Sequence, residues 1–276
     1  MKSLFIAFFV VLFVSCDSEE GSIALDYKAE NEQEIQTYIS ENNLDATATG
    51  SGLYYVIDEV GEGAAITATS NVAVRYKGFY SDGTILDQTT EKGVSFNLQQ
   101  VIAGWNEGLQ YFREGGSGML LIPSHLAYGN NDYNGIPGGS VLIFEIEVID
   151  FDVENREEIV TYIEANNLDA MESETGLFYV IDEAGTGEQP SEVSNVTVAY
   201  KGYYTNGTVF DESNDIGVSF NLNEVIPGWT EGIQYFKVGG SGKLLIPSSL
   251  AYGLFGNQSI PGGAVLIFDV KLRSVN

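Results

Sequence analysis

The chain contains one long sequence twice. Its only two tryptophans, Trp105 and Trp229, lie 124 residues apart. The same offset carries Ile35 to Ile159, Tyr38 to Tyr162, Gly52 to Gly176, Tyr76 to Tyr200, Asp87 to Asp211, Tyr128 to Tyr252 and Phe144 to Phe268. No insertion separates these pairs. Solenoid units repeat every ~20–50 residues, so a period of this length repeats a whole domain. A chain of 276 residues is long enough for two domains that each bury a core. The expected division is 1–15 as a signal peptide, 16–30 as a lipidated flexible tether, 31–150 as the first domain and 151–276 as the second.

Each copy opens with apolar residues at helical spacing, Ile35, Tyr38 and Ile39 or Ile159, Tyr162 and Ile163, stopped at Asn42-Asn43 or Asn166-Asn167. A strand follows at Leu53–Ile57 and Leu177–Ile181, then a long β-rich run at Val72–Tyr80 and Val196–Tyr204. Asp82-Gly83 and Asn206-Gly207 are hairpin signals, because such pairs tolerate positive φ at both central positions. Glu107–Phe112 and Glu231–Phe236 read as a short helix ended by paired glycines. Strands at Met119–Ile122 and Lys243–Ile246 and a last one at Val141–Ile149 and Val265–Leu272 complete the unit. The fold class expected is α+β: two tandem domains, each an antiparallel sheet of about five strands against a short helix, with an additional N-terminal helix per repeat. Tyr54, Tyr55, Phe112 and Phe236 are expected to be ordinary core.

The N-terminus bears Lys2 and an uncharged apolar run from Leu4 to Val14. These eleven residues fall short of the roughly 20 that span a bilayer. They read instead as a secretory signal. Cys16 is the only cysteine, so no intrachain disulfide can form. Phe13-Val14-Ser15-Cys16 resembles a bacterial lipobox, with Phe13 in place of the usual leucine, and implies acylation of Cys16. The location expected is the bacterial cell envelope, lipid-anchored to a membrane, periplasmic or surface-exposed. The 39 acidic against 12 basic residues give a net charge of −27, which argues against nucleic acid as a partner. A solvated acidic surface accounts for the charge, with a preference for basic or unfolded clients as the alternative.

Ordinary catalytic constellations fail on inspection. The single histidine, His125, is matched by Ser249 in the other copy, which argues against a triad or a histidine metal site. Asn130–Gly135 looks like a calcium loop, but its twelfth position is Val141 where a glutamate is needed. Gly115–Gly118 lacks the Lys-Ser or Lys-Thr of a phosphate loop. No metal and no cofactor are expected. What remains are aromatics and branched aliphatics with few polar groups, as in pockets for small molecules or peptides.

The series Tyr200, Gly202, Asn206-Gly207, Phe210-Asp211, Phe220, Val225–Gly232, Ile246-Pro247, Ala251–Gly253, Ile260-Pro261 and Phe268-Asp269 resembles the FKBP-type peptidyl-prolyl cis-trans isomerase family. The match covers about ninety residues per copy in the family's order. It implies an isomerase of X-Pro bonds acting on proline-containing exported or unfolded proteins, with macrolide-type inhibitors as ligands of the same pocket. Carried over by position, the catalytic set is Tyr200, Phe210, Asp211, Trp229, Tyr252 and Phe268, with Phe220, Val225, Ile226 and Ile260 binding substrate. In the first copy the matching positions are Tyr76, Leu86, Asp87, Phe96, Val101, Ile102, Trp105, Tyr128, Ile136 and Phe144. Leu86 departs from the family's phenylalanine, and Gln100 stands where Glu224 keeps an acidic residue. The second domain is therefore expected to be the more active copy.

In that picture Trp229 floors the proline ring and Phe210 and Phe268 wall it. The Ile226 N–H and the Tyr252 hydroxyl hold substrate carbonyls. Asp211 is a polar partner of Tyr200 that orients the twisted carbonyl, or serves only to fix the tyrosine. The competing reading is a chaperone or assembly factor that binds proline-containing or unfolded clients with weak or no turnover. Leu86 favours it for the first copy.

Overall fold

The computed structural model describes residues 26–276. The signal-like segment, the lipobox-like Cys16 and the start of the tether lie outside the described residues. The first unit comprises α1 (Lys28–Glu41), β1 (Thr47–Ala48), β2 (Tyr54–Glu59), β3 (Asn71–Phe79), β4 (Ile85–Gln88), β5 (Val94–Asn97), α2 (Ala103–Gly108), β6 (Ser117–Ile122) and β7 (Leu142–Val148). The second repeats it as α3 (Phe151–Ala165), β8 (Met171–Glu172), β9 (Phe178–Glu183), β10 (Asn195–Tyr203), β11 (Val209–Glu212), β12 (Val218–Asn221), α4 (Pro227–Gly232), β13 (Ser241–Ile246) and β14 (Leu266–Val275). The helix α1 begins inside the stretch read from sequence as tether.

Both units are α+β with antiparallel sheets. The strand order is β1-β2-β6-β7-β3-β4 in one and β8-β9-β13-β14-β10-β11 in the other, with β5 on β3 and β12 on β10. Each sheet thus has seven strands, more than the roughly five that the apolar pattern marks. The additions are short: β1 and β8 have two residues each. The strands β4 and β5 share one side of β3, pairing with Lys77–Phe79 and Asn71–Val74 respectively.

Two apolar faces per sheet need two covers. Successive residues of a strand point to opposite faces, and β6 shows the result. Leu120 and Ile122 join the cluster around Trp105 and Phe112, while Leu121 joins Ile35, Val56, Phe79 and Ile143 under α1. The second unit does the same with Leu244 and Ile246 on one face and Leu245 against Ile159 on the other. The leading helices therefore pack on their own domains. A buried asparagine fixes each: Asn31 binds Gly139 O and Ser124 N at 2.7 and 2.8 Å, and Asn155 binds Gly263 O and Ser248 N at 2.8 and 2.7 Å. The helices stop where expected, at Asn43 and Asn167 with φ of +52° and +51°, the left-handed conformation that asparagine tolerates best after glycine.

Several details depart from the sequence reading. The hairpin at Asp82-Gly83 has positive φ only at Gly83, and Tyr80 N bonds Thr84 O at 3.0 Å. It is a three-residue loop closed by a bulge, because Asp82 is occupied in accepting the Thr84 N–H at 2.8 Å. Phe112 and Phe236 are fully buried as expected. Tyr54 is instead half-buried and bonds Glu32 at 2.6 Å, and Tyr55 stacks on Tyr111 with ring centroids 4.2 Å apart. The short helices start earlier than expected, at Ala103 and Pro227, so both tryptophans sit on them.

Candidate active site

The helix α4 lies unusually close to its sheet, which explains the glycines on either side of Trp229. A Cβ on Gly228 would come within 2.4 Å of the Ile246 side chain, and one on Gly232 within 2.6 Å of Leu244. Proline at the first helical position costs nothing there because that N–H has no intrahelical partner, and the Trp229 and Thr230 N–H groups close on Ile226 O at 2.9 and 3.1 Å. Trp229 is thereby pressed into the sheet and left 5% exposed.

Three rings meet the indole nearly edge-on: Tyr200 at 5.1 Å and 90°, Phe268 at 5.0 Å and 89°, and Phe220 at 5.3 Å and 61°. Such edge-to-face pairs each contribute ~0.5–1.5 kcal/mol beyond area burial. Phe210 stands on Phe268 at 5.5 Å and 84°, and on Tyr204 at 5.0 Å. It can do so because Gly202 has no side chain, and a Cβ there would meet the Phe210 ring at 2.6 Å and Phe268 at 2.8 Å.

Trp229, Tyr200, Phe210, Phe220 and Phe268 together line a cavity of about 740 Å³, within the usual range of ligand pockets, about 300–1,000 Å³. All ten positions named for the second copy border it. So do Val218, Glu224, Asn257 and Ser259. Of these Glu224 was marked in the sequence as an acidic position, and the other three were missed. The repeat alignment contained the signal for one: Asn257 falls opposite Tyr133, a change from amide to ring on the same loop. Asn257 Oδ1 accepts the N–H groups of Ser259 and Ile260, each at 2.8 Å, and so shapes the rim.

Among the residues named for the second site, the Tyr200 hydroxyl donates to Asp211 Oδ2 at 2.6 Å. Burial first, and then this bond, push the Tyr200 phenol up to about 12. The phenol therefore stays a neutral donor at any physiological pH, and Asp211 is committed to accepting from it. Tyr252 stands at the rim, 41% exposed.

The first unit assembles the same floor. Trp105 meets Tyr76 at 5.1 Å and 88°, Phe144 at 5.1 Å and 87°, and Phe96 at 5.3 Å. Tyr76 donates to Asp87 Oδ2 at 2.5 Å, and burial with that bond raises its phenol well above 10. Val101, Ile102 and Leu86 pack on this cluster, and Ile136 is buried in it. Two features differ. Leu86 offers no ring against Phe144, and Tyr128 at the rim is stacked on Tyr133, 5.1 Å between centroids with planes 12° apart.

His125 lies away from this cluster, with Nε2 2.9 Å from Ser51 O. Among the described residues no helix is long and apolar enough to cross a membrane.

A family model described as FKBP-type peptidyl-prolyl cis-trans isomerase matches residues 63–149 and 186–273, more than half of the chain. FKBP-type peptidyl-prolyl cis-trans isomerase FkpA of Aeromonas hydrophila is 46% identical over 127 residues, covering 45% of this chain and 47% of that protein. The Escherichia coli protein of the same name is 50% identical over 105 residues, covering 37% and 39% respectively. A crystal structure of FkpA from Escherichia coli superposes with a TM-score of 0.42 at 36% identity, covering 46% of this chain and 60% of that one. The chain spans less than half the length of these curated relatives.

Proposed function

Because the chain belongs to the FKBP-type peptidyl-prolyl cis-trans isomerase family, we propose that it accelerates rotation about X-Pro bonds of exported proteins, chiefly in the second domain. The observation that carries this reading is the cavity floored by Trp229, which combines four aromatic walls with one fixed polar pair, Tyr200 and Asp211.

The chemistry asked of such a pocket is conformational. The planar amide owes its ~18–20 kcal/mol barrier to resonance that gives the C–N bond double-bond character and puts negative charge on oxygen. Water stabilises that charge-separated planar form. A ring-lined cavity withdraws the water, so the planar form loses more than the twisted one and the barrier drops. Catalysis then requires tighter binding of the twisted amide than of either isomer.

In this reading Trp229 takes the flat of the proline ring, with Phe210 and Phe268 against its edges. Ile226 N–H and the Tyr252 hydroxyl hold flanking carbonyls. The Asp211 carboxylate, fixed by Tyr200, faces the carbonyl as it turns, and no proton moves. Uncatalysed isomerisation takes ~10–100 s, so modest acceleration is useful to a chain folding outside the cytoplasm.

Export and attachment through Cys16 belong to the same proposal. Cys16→Ser should move the protein from the membrane fraction to the soluble fraction, and unchanged fractionation refutes the anchor. The working domain limits are 31–150 and 151–276.

The test of activity is proline isomerisation of a short peptide by the full chain, alone and with Phe210→Ala. Turnover that collapses with Phe210→Ala supports the reading, and turnover that persists unchanged refutes the assignment to the second domain. A client-binding role without turnover is favoured for the first domain by Leu86 and by the Tyr128–Tyr133 stack. An inactive full chain that still retards aggregation of an unfolded protein would extend that role to both domains.

A further inference from the structure

The rim of the second cavity is one loop, from the end of β13 at Ile246 to the start of β14 at Leu266, and it carries Tyr252, Asn257 and Ile260. Its own bonds are turn bonds, those from Ser259 N and Ile260 N to Asn257 Oδ1 among them, with one tie from the Tyr204 hydroxyl to Ser259 O at 3.4 Å. Gly253 N reaches Ser248 O at 2.8 Å, Asn257 N reaches Ile260 O at 2.8 Å, and Gly263 N reaches Gly253 O at 3.0 Å. One further tie reaches the loop directly from the other domain, and a second acts on it through α3.

At the loop's tip, the Ser95 hydroxyl on β5 donates to Leu254 O at 2.9 Å. At its base, Asn155 clamps both stems through Ser248 N and Gly263 O. The residue before it, Glu154, accepts a two-pronged bond from Arg75 of β3, at 2.8 and 2.9 Å. Arg75 is itself set by Glu147 at 3.0 Å and by Glu91 O. Paired guanidinium–carboxylate bonds fix orientation as well as distance, so the turn of α3 that bears Asn155 is oriented by the first domain.

Among the described residues, the repeat equivalents of Arg75 and Ser95 make no such tie to the first domain. The residue equivalent to Arg75 is Ala199, and the equivalent of Ser95 is Ser219, which bonds Thr197 within its own sheet at 2.8 Å. The first domain's rim has Tyr133 stacked on Tyr128 instead.

We propose that Ser95 and Arg75 of the first domain are positioning residues for the second domain's substrate rim, so that the first domain completes the second site. This rests on the isomerase reading above. Tyr252 holds substrate in both the ground and the transition state, so loosening its loop removes uniform binding and raises KM while leaving kcat in place.

The test uses the full chain with Ser95→Ala, Arg75→Gln and both together, assayed on a proline peptide. The double variant should raise KM about three- to tenfold, the worth of one or two ordinary hydrogen bonds, with kcat within about twofold. Ser95→Thr, which keeps the hydroxyl, should restore the KM of Ser95→Ala. In a Tyr252→Phe background Ser95→Ala should add less than it does alone, since both act on the Tyr252 contact. An unchanged KM, a loss confined to kcat, or full additivity with Tyr252→Phe overturns the proposal. Amide hydrogen exchange at Gly253, Asn257 and Gly263 provides a readout that needs no turnover. These amides should exchange about tenfold faster in the double variant while β13 and β14 are unaffected, and unchanged exchange overturns the brace. A chain that turns over no substrate yet shows this change in exchange defeats the isomerase reading and keeps the brace.

Discussion

The two domains share a floor and differ at the wall and rim. Trp105 and Trp229 meet tyrosine, phenylalanine and phenylalanine in nearly the same geometry, at 5.0–5.3 Å, two rings edge-on and the third, Phe96 or Phe220, tilted by 57° or 61°. Where the copies diverge, at Leu86 against Phe210 and Tyr133 against Asn257, the side chains are half-buried or exposed. The reason is energetic. A floor residue is also core, so altering it costs folding stability, whereas a wall or rim residue can change with little penalty and alter the chemistry of the site. One scaffold can therefore hold a ring-walled cavity in one copy and a leucine wall with a rim of stacked tyrosines in the other.

The strongest way to break this comparison is to remove each floor in turn. Trp105→Ala and Trp229→Ala should both cost ~3–5 kcal/mol of stability, as expected for a large buried aromatic. Only Trp229→Ala should also cut turnover, by about 100-fold, or ~2.7 kcal/mol of transition-state stabilisation. Urea unfolding and peptide isomerisation below the melting temperature read the two separately. Equal losses of turnover would place activity in both domains.

A smaller effect should separate the walls. A methyl on Gly202 would strike two rings, Phe210 and Phe268, whereas on Gly78 it would strike Phe144 alone. Both Gly→Ala changes overpack and should destabilise by ~1–3 kcal/mol. Gly202→Ala should in addition displace Phe210 and lower turnover, and the midpoints of chemical denaturation with the isomerisation rate check both.

Much of this was legible in the sequence, and what was missed has a physical pattern. The duplication, the antiparallel α+β class and the leading helix followed from periodicity, because cores impose 3.6- and 2-residue repeats. The short edge strands β1 and β8 were not legible, since two exposed residues carry no pattern. The starts of α2 and α4 were misplaced because glycine on both sides of a tryptophan reads as a turn, when in fact it lets the helix approach β6 and β13 closely. Asn31 and Asn155 look like helix-surface residues in sequence, and only the fold reveals them as buried clamps. Asn257 lay in plain view across the repeat from Tyr133. The cross-domain pair Arg75 and Glu154 could not be found by aligning the copies, because its partners belong to different copies.

Rebuilding the wall tests the comparison in the reverse direction. Leu86→Phe with Tyr133→Asn gives the first domain the ring and the amide that the second has. In a chain whose second site is disabled by Phe210→Ala, this pair should raise turnover about three- to tenfold, equivalent to ~0.7–1.4 kcal/mol. No gain would mean that the difference between the domains lies beyond these two positions, with the brace from Ser95 and Arg75 the next to examine.

The smallest effect concerns what the domains have in common. Tyr76 and Tyr200 both donate to an aspartate, and in both cases burial is the first cause of the raised phenol pKa and the carboxylate the next. With Tyr200 raised to about 12, turnover should stay flat as pH rises through 10, where an ordinary tyrosine ionises. Stability should behave differently. A folded-state value above the unfolded one means that the native chain holds more protons than the unfolded chain between pH 10 and about 12, so this contribution is complete below 10 and lost across that window. Asp211→Asn and Asp87→Asn remove the neighbouring negative charge but not the burial, so each tyrosine should titrate lower than before while remaining above 10. Tyrosinate absorbance on the two variants reads this directly. Shifts in the same direction at both sites would show that the polar pair belongs to the shared floor, leaving the wall and rim as the places where the two sites differ.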